Sequence, residues 1–203
     1  MIAICEECRS TFVALEQLVP SSFRAERLDR LHPSCACQSH SVSEHSAGKV
    51  AGTETLIRIL VVPQHMDRKG RPKAASLSDA ETHGSSMLRE SASDDEVLLV
   101  ATDLVTRARR NNGLKAGVLG VLNVVCSSIR DFIAEGQDAP CYCVYDTALA
   151  NLPSHAESFQ QVADVEVQIR DLRRQQLFAL VKHGFVPVAQ FRNGLLSGLA
   201  PLL

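Results

Sequence analysis

The feature that most constrains the fold is an almost entirely apolar run at residues 118–125, VLGVLNVV. In a strand, successive side chains point to opposite faces of the sheet, and in this run both faces are apolar. Such a segment is typical of a central strand, because a strand on a wetted surface would keep one face polar. We therefore predict a sheet with this run inside it.

Further strands are predicted from shorter patterns. Residues 56–62, LIRILVV, are apolar and β-branched and end at Pro63, which indicates a second buried strand with Arg58 inside it. Residues 87–90 and 141–145 are shorter candidates of the same kind.

Two long helices are predicted to pack on this sheet. The first opens with a capping box, Ser93 followed three residues later by Glu96, and ends at the next Asn-Asn-Gly. The second is predicted over residues 154–183, and its first turn, with Ser154 and Glu157, has the same capping pattern. The predicted fold class is therefore α+β or α/β, a small central sheet packed by two main helices.

The N-terminal residues 1–33 are predicted to form a short helical unit that contains cysteines. Two helical patterns fill it, and each ends at a proline. Residues 34–55 are rich in Ser, His and Gly, which indicates a linker, and Cys35 and Cys37 lie at its start. The main mixed helix and strand domain is then predicted at residues 56–203.

The cysteine spacing predicts a structural zinc site. Cys5 and Cys8 are separated by two residues, a spacing that tetrahedral zinc accepts, and Cys35 and Cys37 could supply the other two sulfur ligands. A histidine at position 32, 40 or 45 could replace one of them. A closed site with four ligands leaves no place for substrate, so this zinc would be structural. The alternative is four unpaired thiols in a helical appendage.

The composition of the chain bears on its cellular compartment and on its possible binding partners. The chain has seven cysteines and its N-terminus does not resemble a secretion signal, which predicts a reducing, cytoplasmic location. A net charge of −2 argues against a general nucleic-acid coat but permits a local basic patch. No apolar run reaches the roughly 18 to 20 residues that span a bilayer, so no membrane association is predicted. The apolar tail at 191–203 is predicted either to dock on the core or to bind another protein or a second copy.

Five polar residues are candidates for catalysis: Arg58, Arg89, Glu90, His155 and Glu157. A charge inside an apolar strand is costly unless it is paired or faces a cleft, which singles out Arg58. The alternative for Arg58 is an edge strand on which it faces water. His155 and Glu157 form the single His-x-Glu of the chain, and the alternative for them is a role in starting the second helix.

Two segments resemble a set of small uncharacterised bacterial proteins. They are LIRILVVPQHMDRKGRPKAASLSDAETHGSSMLRES, which begins at Leu56, and CVYDTALANLPSHAE, which begins at Cys143. This resemblance implies no established activity and transfers no site residues. Separately, Arg58 is followed by the serine-rich turn at 84–86 and then by two glutamates, Glu90 and Glu157. An order of Arg, Ser and Glu is loosely similar to that of ADP-ribosyltransferases, in which such residues bind NAD and polarise its ribose.

One function and two alternatives follow. The first is a small intracellular accessory or interaction protein with a structural zinc site. The first alternative is a small effector-type enzyme that acts on a nucleotide or nucleic acid, with the similarity to ADP-ribosyltransferases as its motivation. The second alternative is a nucleic-acid-binding module that uses the basic residues at 68–73 and 107–115.

Overall fold

In the part of the chain that the structure describes, the fold is built on one antiparallel sheet of six strands. The computed structural model describes residues 5–17 and 21–201. In chain order the strands are β1 (Thr55–Val62), β2 (Ser85–Arg89), β3 (Gly117–Val125), β4 (Tyr142–Asp146), β5 (His155–Gln160) and β6 (Phe185–Pro187). They are hydrogen-bonded in the order β4-β5-β2-β1-β3-β6, and each neighbouring pair is antiparallel. The predicted run at 118–125 is β3, which pairs on both sides, as a central strand must.

Helices cover both faces of the sheet. In chain order they are α1 (Glu6–Glu16), α2 (Arg24–Leu31), α3 (Asp94–Asn112), α4 (Cys126–Arg130) and α5 (Val167–Val181). The apolar side of α3 packs on alternate residues of β1, such as Ile57 and Ile59. The intervening residues Leu56 and Leu60 face α5. The predicted α+β class with two main helices is confirmed.

The N-terminal unit packs beside α3, on the same face of the sheet. Residues of α1 and α2 join a buried cluster with Tyr145 of β4 and Phe159 of β5. The ring of Phe12 lies 5.1 Å from the ring of Tyr145, centroid to centroid, and 6.3 Å from that of Phe159. These aromatic contacts anchor α1 over β4 and β5.

Strands β1 and β2 separate after a short pairing. Leu56 pairs with Arg89 and Ile57 with Leu88, whereas from Arg58 onward β1 is paired with β3 alone. A 3₁₀ segment at Ala74–Glu81 fills the gap next to β2. The side chain of Arg58, 3 % exposed, lies in this gap. The alternative in which Arg58 faces water from an edge strand is therefore wrong, since β1 lies inside the sheet.

The second predicted helix is wrong in its first part. The residues from His155 to Gln160 form β5, which pairs with both β2 and β4, and the helix begins only at Val167. The backbone N–H and the hydroxyl of Ser154 both donate to the carboxylate of Glu96 in α3, at 3.0 and 2.7 Å. Ser154 therefore does not cap a helix of its own. Its polar groups bind Glu96 at the start of α3 instead. The capping box at Ser93 is confirmed.

The described part of the C-terminal tail docks on the core. Phe191 and Leu196 are buried in the layer between α3 and the sheet. Leu202 and Leu203 lie outside the described residues. Within 5–17 and 21–201, no helix has both the length and the apolar character needed to cross a membrane.

Candidate active site on strands β2 and β5

Strand register brings three polar side chains together. Ser86 of β2 lies opposite Glu157 of β5, and Leu88 lies opposite His155. Residues directly opposite each other in a sheet share a face, and so do residues two apart along a strand. Ser86, His155 and Glu157 therefore lie on one face, the face that α3 and the N-terminal unit cover.

His155 is held by hydrogen bonds on both ring nitrogens. Its Nδ1 lies 3.2 Å from the carbonyl oxygen of Thr147 and 3.0 Å from the Thr147 hydroxyl. Since a carbonyl can only accept, the tautomer of the ring that satisfies this contact is the one with its proton on Nδ1. Nε2 then accepts from the hydroxyl of Ser86 at 2.8 Å. This is the arrangement of a hydroxyl, a base and an orienting group.

A cavity of about 380 Å³ lies over His155 and Glu157. Its walls come from α1, α2 and two loops: Arg9, Phe12, Val13, Glu16, Arg24, residues 42–45 and residues 147–150. Its size is within the range of small-molecule sites. At its floor, Arg24 Nη2 lies 3.8 Å from Glu157 Oε2. Arg24 Nε is buried and has no hydrogen-bond partner among the residues that the structure describes.

Gly84 allows Glu157 and Phe159 to approach β2 closely. Its φ is +98°, a conformation that favours glycine. A Cβ at this position would lie 2.6 Å from the Phe159 ring and 3.2 Å from Glu157 Oε1. Gly84, in the serine-rich turn at 84–86, therefore leaves the space that the Glu157 carboxylate occupies.

Arg58 is connected to this site through the backbone of Ser86. Its guanidinium donates to the carbonyl oxygens of Ser86 and Ser76, at 2.9 and 3.3 Å, and to the carboxylate of Asp79 at 2.5 Å. Burial by itself would raise the pKa of Asp79, but the charge and hydrogen bond of Arg58 hold that pKa below its ordinary value. Arg58 thus fixes β2 where it leaves β1.

His65 has a similar structural role beside Arg58. Its Nδ1 accepts from the backbone N–H of Val61, a donor that has no partner strand on that side. Burial, together with the nearby charge of Arg58, lowers the pKa of His65 to about 3, so the ring is neutral. The sequence did not single out His65, because its role depends on the separation of β1 from β2.

Arg89 and Glu90 do not join the group of Ser86, His155 and Glu157. Arg89 forms an ion pair with Glu54 at 2.6 Å and donates to the carbonyl oxygen of Gly48 at 2.6 Å. The Glu90 carboxylate accepts from the backbone N–H of Thr55 at 3.3 Å. Both side chains therefore stabilise the far end of β2. Thr147 and Arg24 belong to the site, but no local sequence signal identified them.

The cysteines form a second cluster, in the N-terminal unit. Cys8 and Cys37 form one disulfide, and Cys35 forms another with Cys143 of β4, while Cys5 is free. The predicted ligand set of Cys5, Cys8, Cys35 and Cys37 is thus not brought to one point.

A smaller group in this cluster could hold a metal ion. The ligand atoms of Cys8, His32 and Cys37 lie within 4.8 Å of one another. Thiolates bind metals, so a metal and the Cys8–Cys37 disulfide exclude each other. One nitrogen of His32 also lies 2.9 Å from the hydroxyl of Thr11.

Comparison with known proteins produced no match: no protein-family model, no curated protein and no solved structure is significantly similar to the chain. The resemblance to small bacterial proteins therefore stays a prediction.

Proposed function

We propose that the protein is an enzyme that acts on a nucleotide, and that the cavity over β5 is its active site. The observation that carries this proposal is the convergence of Ser86, His155 and Glu157 on adjacent strands, with Arg58 bound to the backbone of Ser86. The order of Arg58, Ser86 and Glu157 is similar to that of ADP-ribosyltransferases. The substrate class we propose is therefore a nicotinamide dinucleotide.

The proposed chemistry requires one carboxylate on the floor of the cavity. Breaking a glycosidic bond develops positive charge on the sugar, and a fixed carboxylate stabilises that charge. The nicotinamide of NAD is already cationic, so it departs as a neutral molecule without a general acid. Glu157 is the buried carboxylate of the cavity, while Glu16 and Glu44 are exposed at its rim. Arg24 places a positive charge beside it, suited to a phosphate of the nucleotide.

His155 and Ser86 suit the second half of such a reaction. In the tautomer that donates from Nδ1 to the carbonyl oxygen of Thr147, the Nε2 of His155 would be available to accept a proton. It would take this proton from the hydroxyl that attacks, that of water or of another acceptor, as the oxygen bonds to C1′ of the ribose in place of nicotinamide. In this assignment Arg58 touches no substrate and acts as a positioning residue, which differs from the role that the resemblance implies for it.

The test is release of nicotinamide from NAD by the purified full chain, followed by chromatography. Glu157→Gln preserves size and removes the charge, so we expect kcat to fall by about 10²- to 10³-fold. The matched control is Glu16→Gln, which removes an exposed carboxylate from the rim of the same cavity and should leave kcat unchanged. Equal activity of the two variants, or no NAD binding by the wild-type chain, would contradict the proposal.

A second candidate function is an accessory protein whose N-terminal unit is held by zinc. The observation that favours it is the group Cys8, His32 and Cys37, since two sulfurs and one nitrogen are three of the four ligands that a structural zinc takes. Zinc would replace the Cys8–Cys37 disulfide in a reducing compartment such as the cytoplasm. The partner would be another protein or a second copy that contacts the partly exposed side of the docked tail, where Leu195 and Leu199 lie.

Metal content measured by mass spectrometry tests this candidate. Protein purified with a reductant should contain close to one zinc per chain, and Cys8→Ser should lose it. The control is Cys141→Ser, which removes a free, buried thiol just before the start of β4. This variant should keep the metal. Absence of zinc from the reduced wild-type chain, or its retention in Cys8→Ser, would exclude this site.

A further inference from the structure

A surface groove of about 480 Å³ lies beside the end of α5, on the sheet face opposite the His155 cavity. It is lined by Arg71, Pro72, Phe178, Lys182, His183 and Phe185. Phe178 and Phe185 contact the core layer between the sheet and α5, which fixes the side of the sheet on which the groove lies. The groove is therefore separate from the proposed active site.

The lining of this groove, called the α5 groove below, combines cations with aromatic rings. The cations are Arg71 and Lys182, both exposed, with the exposed ring of His183 beside them, and among the described residues no carboxylate lines the groove. Phe178 and Phe185 are partly exposed, so each ring packs on the core and also reaches the groove. Positive charge beside available aromatic faces is the combination that single-stranded nucleic acid requires.

The turn at residues 67–71, next to the groove, carries several basic side chains and is held in shape by Asp67. Asp67 accepts from the backbone N–H groups of Lys69 and Arg71, at 2.8 and 2.9 Å, and from the Arg71 guanidinium at 3.0 Å. These bonds hold the pKa of Asp67 below its ordinary value despite the opposing effect of burial. Asp67 offsets one charge of the turn. Arg68, Lys69 and Lys73 form no ion pair within the described ranges.

We propose that the α5 groove binds single-stranded nucleic acid, with the phosphates beside Lys182 and the basic turn and with bases stacked on Phe178 and Phe185. A net charge of −2 for the whole chain makes this a local patch rather than a general property of the surface. Stacking on phenylalanine tolerates every base, so binding should show little sequence preference. This inference does not depend on the proposed enzyme activity.

The test is fluorescence anisotropy of a fluorescein-labelled 15-nucleotide oligothymidylate, titrated with the full chain between 50 and 200 mM NaCl. For single strands, the logarithm of the binding constant falls with the logarithm of salt by about 0.7 per phosphate neutralised. Lys182→Ala should therefore make the slope shallower by about 0.7. Arg27→Ala removes an exposed cation of α2, outside the groove, and should leave the slope unchanged.

The aromatic part of the proposal has its own variant. Phe178→Leu keeps an apolar side chain but removes the stacking face, and we expect binding to weaken by about 5- to 150-fold. Phe132→Leu alters another ring that is partly buried against the same core, at 6.1 Å from the ring of Tyr142, and should not weaken binding. Circular dichroism of each variant shows whether it has kept its fold.

Three results would overturn the proposal. The first is no binding of the oligothymidylate or of an oligouridylate by the wild-type chain at 50 mM NaCl. The second is an equal change in the salt slope of binding in Lys182→Ala and in Arg27→Ala. The third is displacement of the oligonucleotide by a polyglutamate peptide at an equal concentration of charges, which would identify an acidic peptide as the occupant.

Discussion

Replacing Arg58 by methionine should destabilise the fold more than any surface substitution. The guanidinium is 3 % exposed and bridges the gap between β1 and β2 by its bonds to Ser76, Ser86 and Asp79. Methionine fills a similar volume, but it removes the guanidinium hydrogen bonds to the carbonyl oxygens of Ser76 and Ser86 and leaves the Asp79 carboxylate without the charge of Arg58.

The magnitude follows from the burial of the pair. Removing one partner of a buried ion pair costs about 3 to 5 kcal/mol. Because the Asp79 side chain is 31 % exposed, water screens part of its charge, and we expect the lower end, about 3 kcal/mol. For a chain of this length that corresponds to a fall of roughly 6 to 12 °C in Tm. The double variant Arg58→Met/Asp79→Asn should recover about 1 to 2 kcal/mol, because no charge is left unpaired.

The pH dependence supplies a sharper test. In the wild-type chain the pKa of Asp79 is lowered on folding, so its stabilisation is present above the unfolded pKa and is lost as the pH falls through the folded one. Without Arg58, burial raises the pKa of Asp79. Acid then protonates the buried carboxylate, so the loss of stability caused by Arg58→Met becomes smaller at low pH. Arg58 also lowers the pKa of His65, and its loss acts in the same direction.

Urea unfolding of the wild type and both variants at pH 7 and pH 4 measures these effects. The difference in the free energy of unfolding between the wild type and Arg58→Met should be smaller at pH 4. An equal difference at both values, or a double variant no more stable than Arg58→Met, would refute the assignment of Asp79 as the partner that matters.

Three further predictions concern stability. The folded His65 has its pKa lowered to about 3, so stability is present above the unfolded pKa and falls on acidification below it, by up to about 1.4 kcal/mol per pH unit. His65→Asn should flatten this slope in urea titrations. Gly84→Ala should cost about 2 to 4 kcal/mol in thermal unfolding, because of the positive φ and the overlap with Phe159. Cys143→Ser should lose up to about 4.8 kcal/mol in non-reducing buffer, since its disulfide with Cys35 closes a loop of 108 residues, and dithiothreitol should abolish the difference.

Local patterns of hydrophobicity and capping were sufficient for most of the elements. Strand β1 was predicted from an apolar, β-branched run that ends at Pro63, and β3 from a run that is apolar on both faces. The start of α3 was predicted because the Ser93 capping box is complete within four residues. Such signals are local, so they survive without knowledge of the tertiary structure.

The same reasoning fails at Ser154, where the capping pattern is present but the backbone of the next residues pairs with β2 and β4. A strand between two neighbours gains hydrogen bonds that no local pattern reveals. Glu96 illustrates the reason, since its carboxylate caps α3 and also binds Ser154, 58 residues away.

By itself, the sequence predicted a mixed α+β or α/β class, strands β1 and β3, helix α3 and the individual candidate residues. The tertiary structure decided which of them meet. Ser86 and His155 are 69 residues apart, and Cys35 and Cys143 are 108 apart, so only the register of the sheet and the docking of the N-terminal unit bring them into contact. The physical reason is that a site depends on distances between side chains, whereas the sequence carries only the periodicity that assigns each residue to a face.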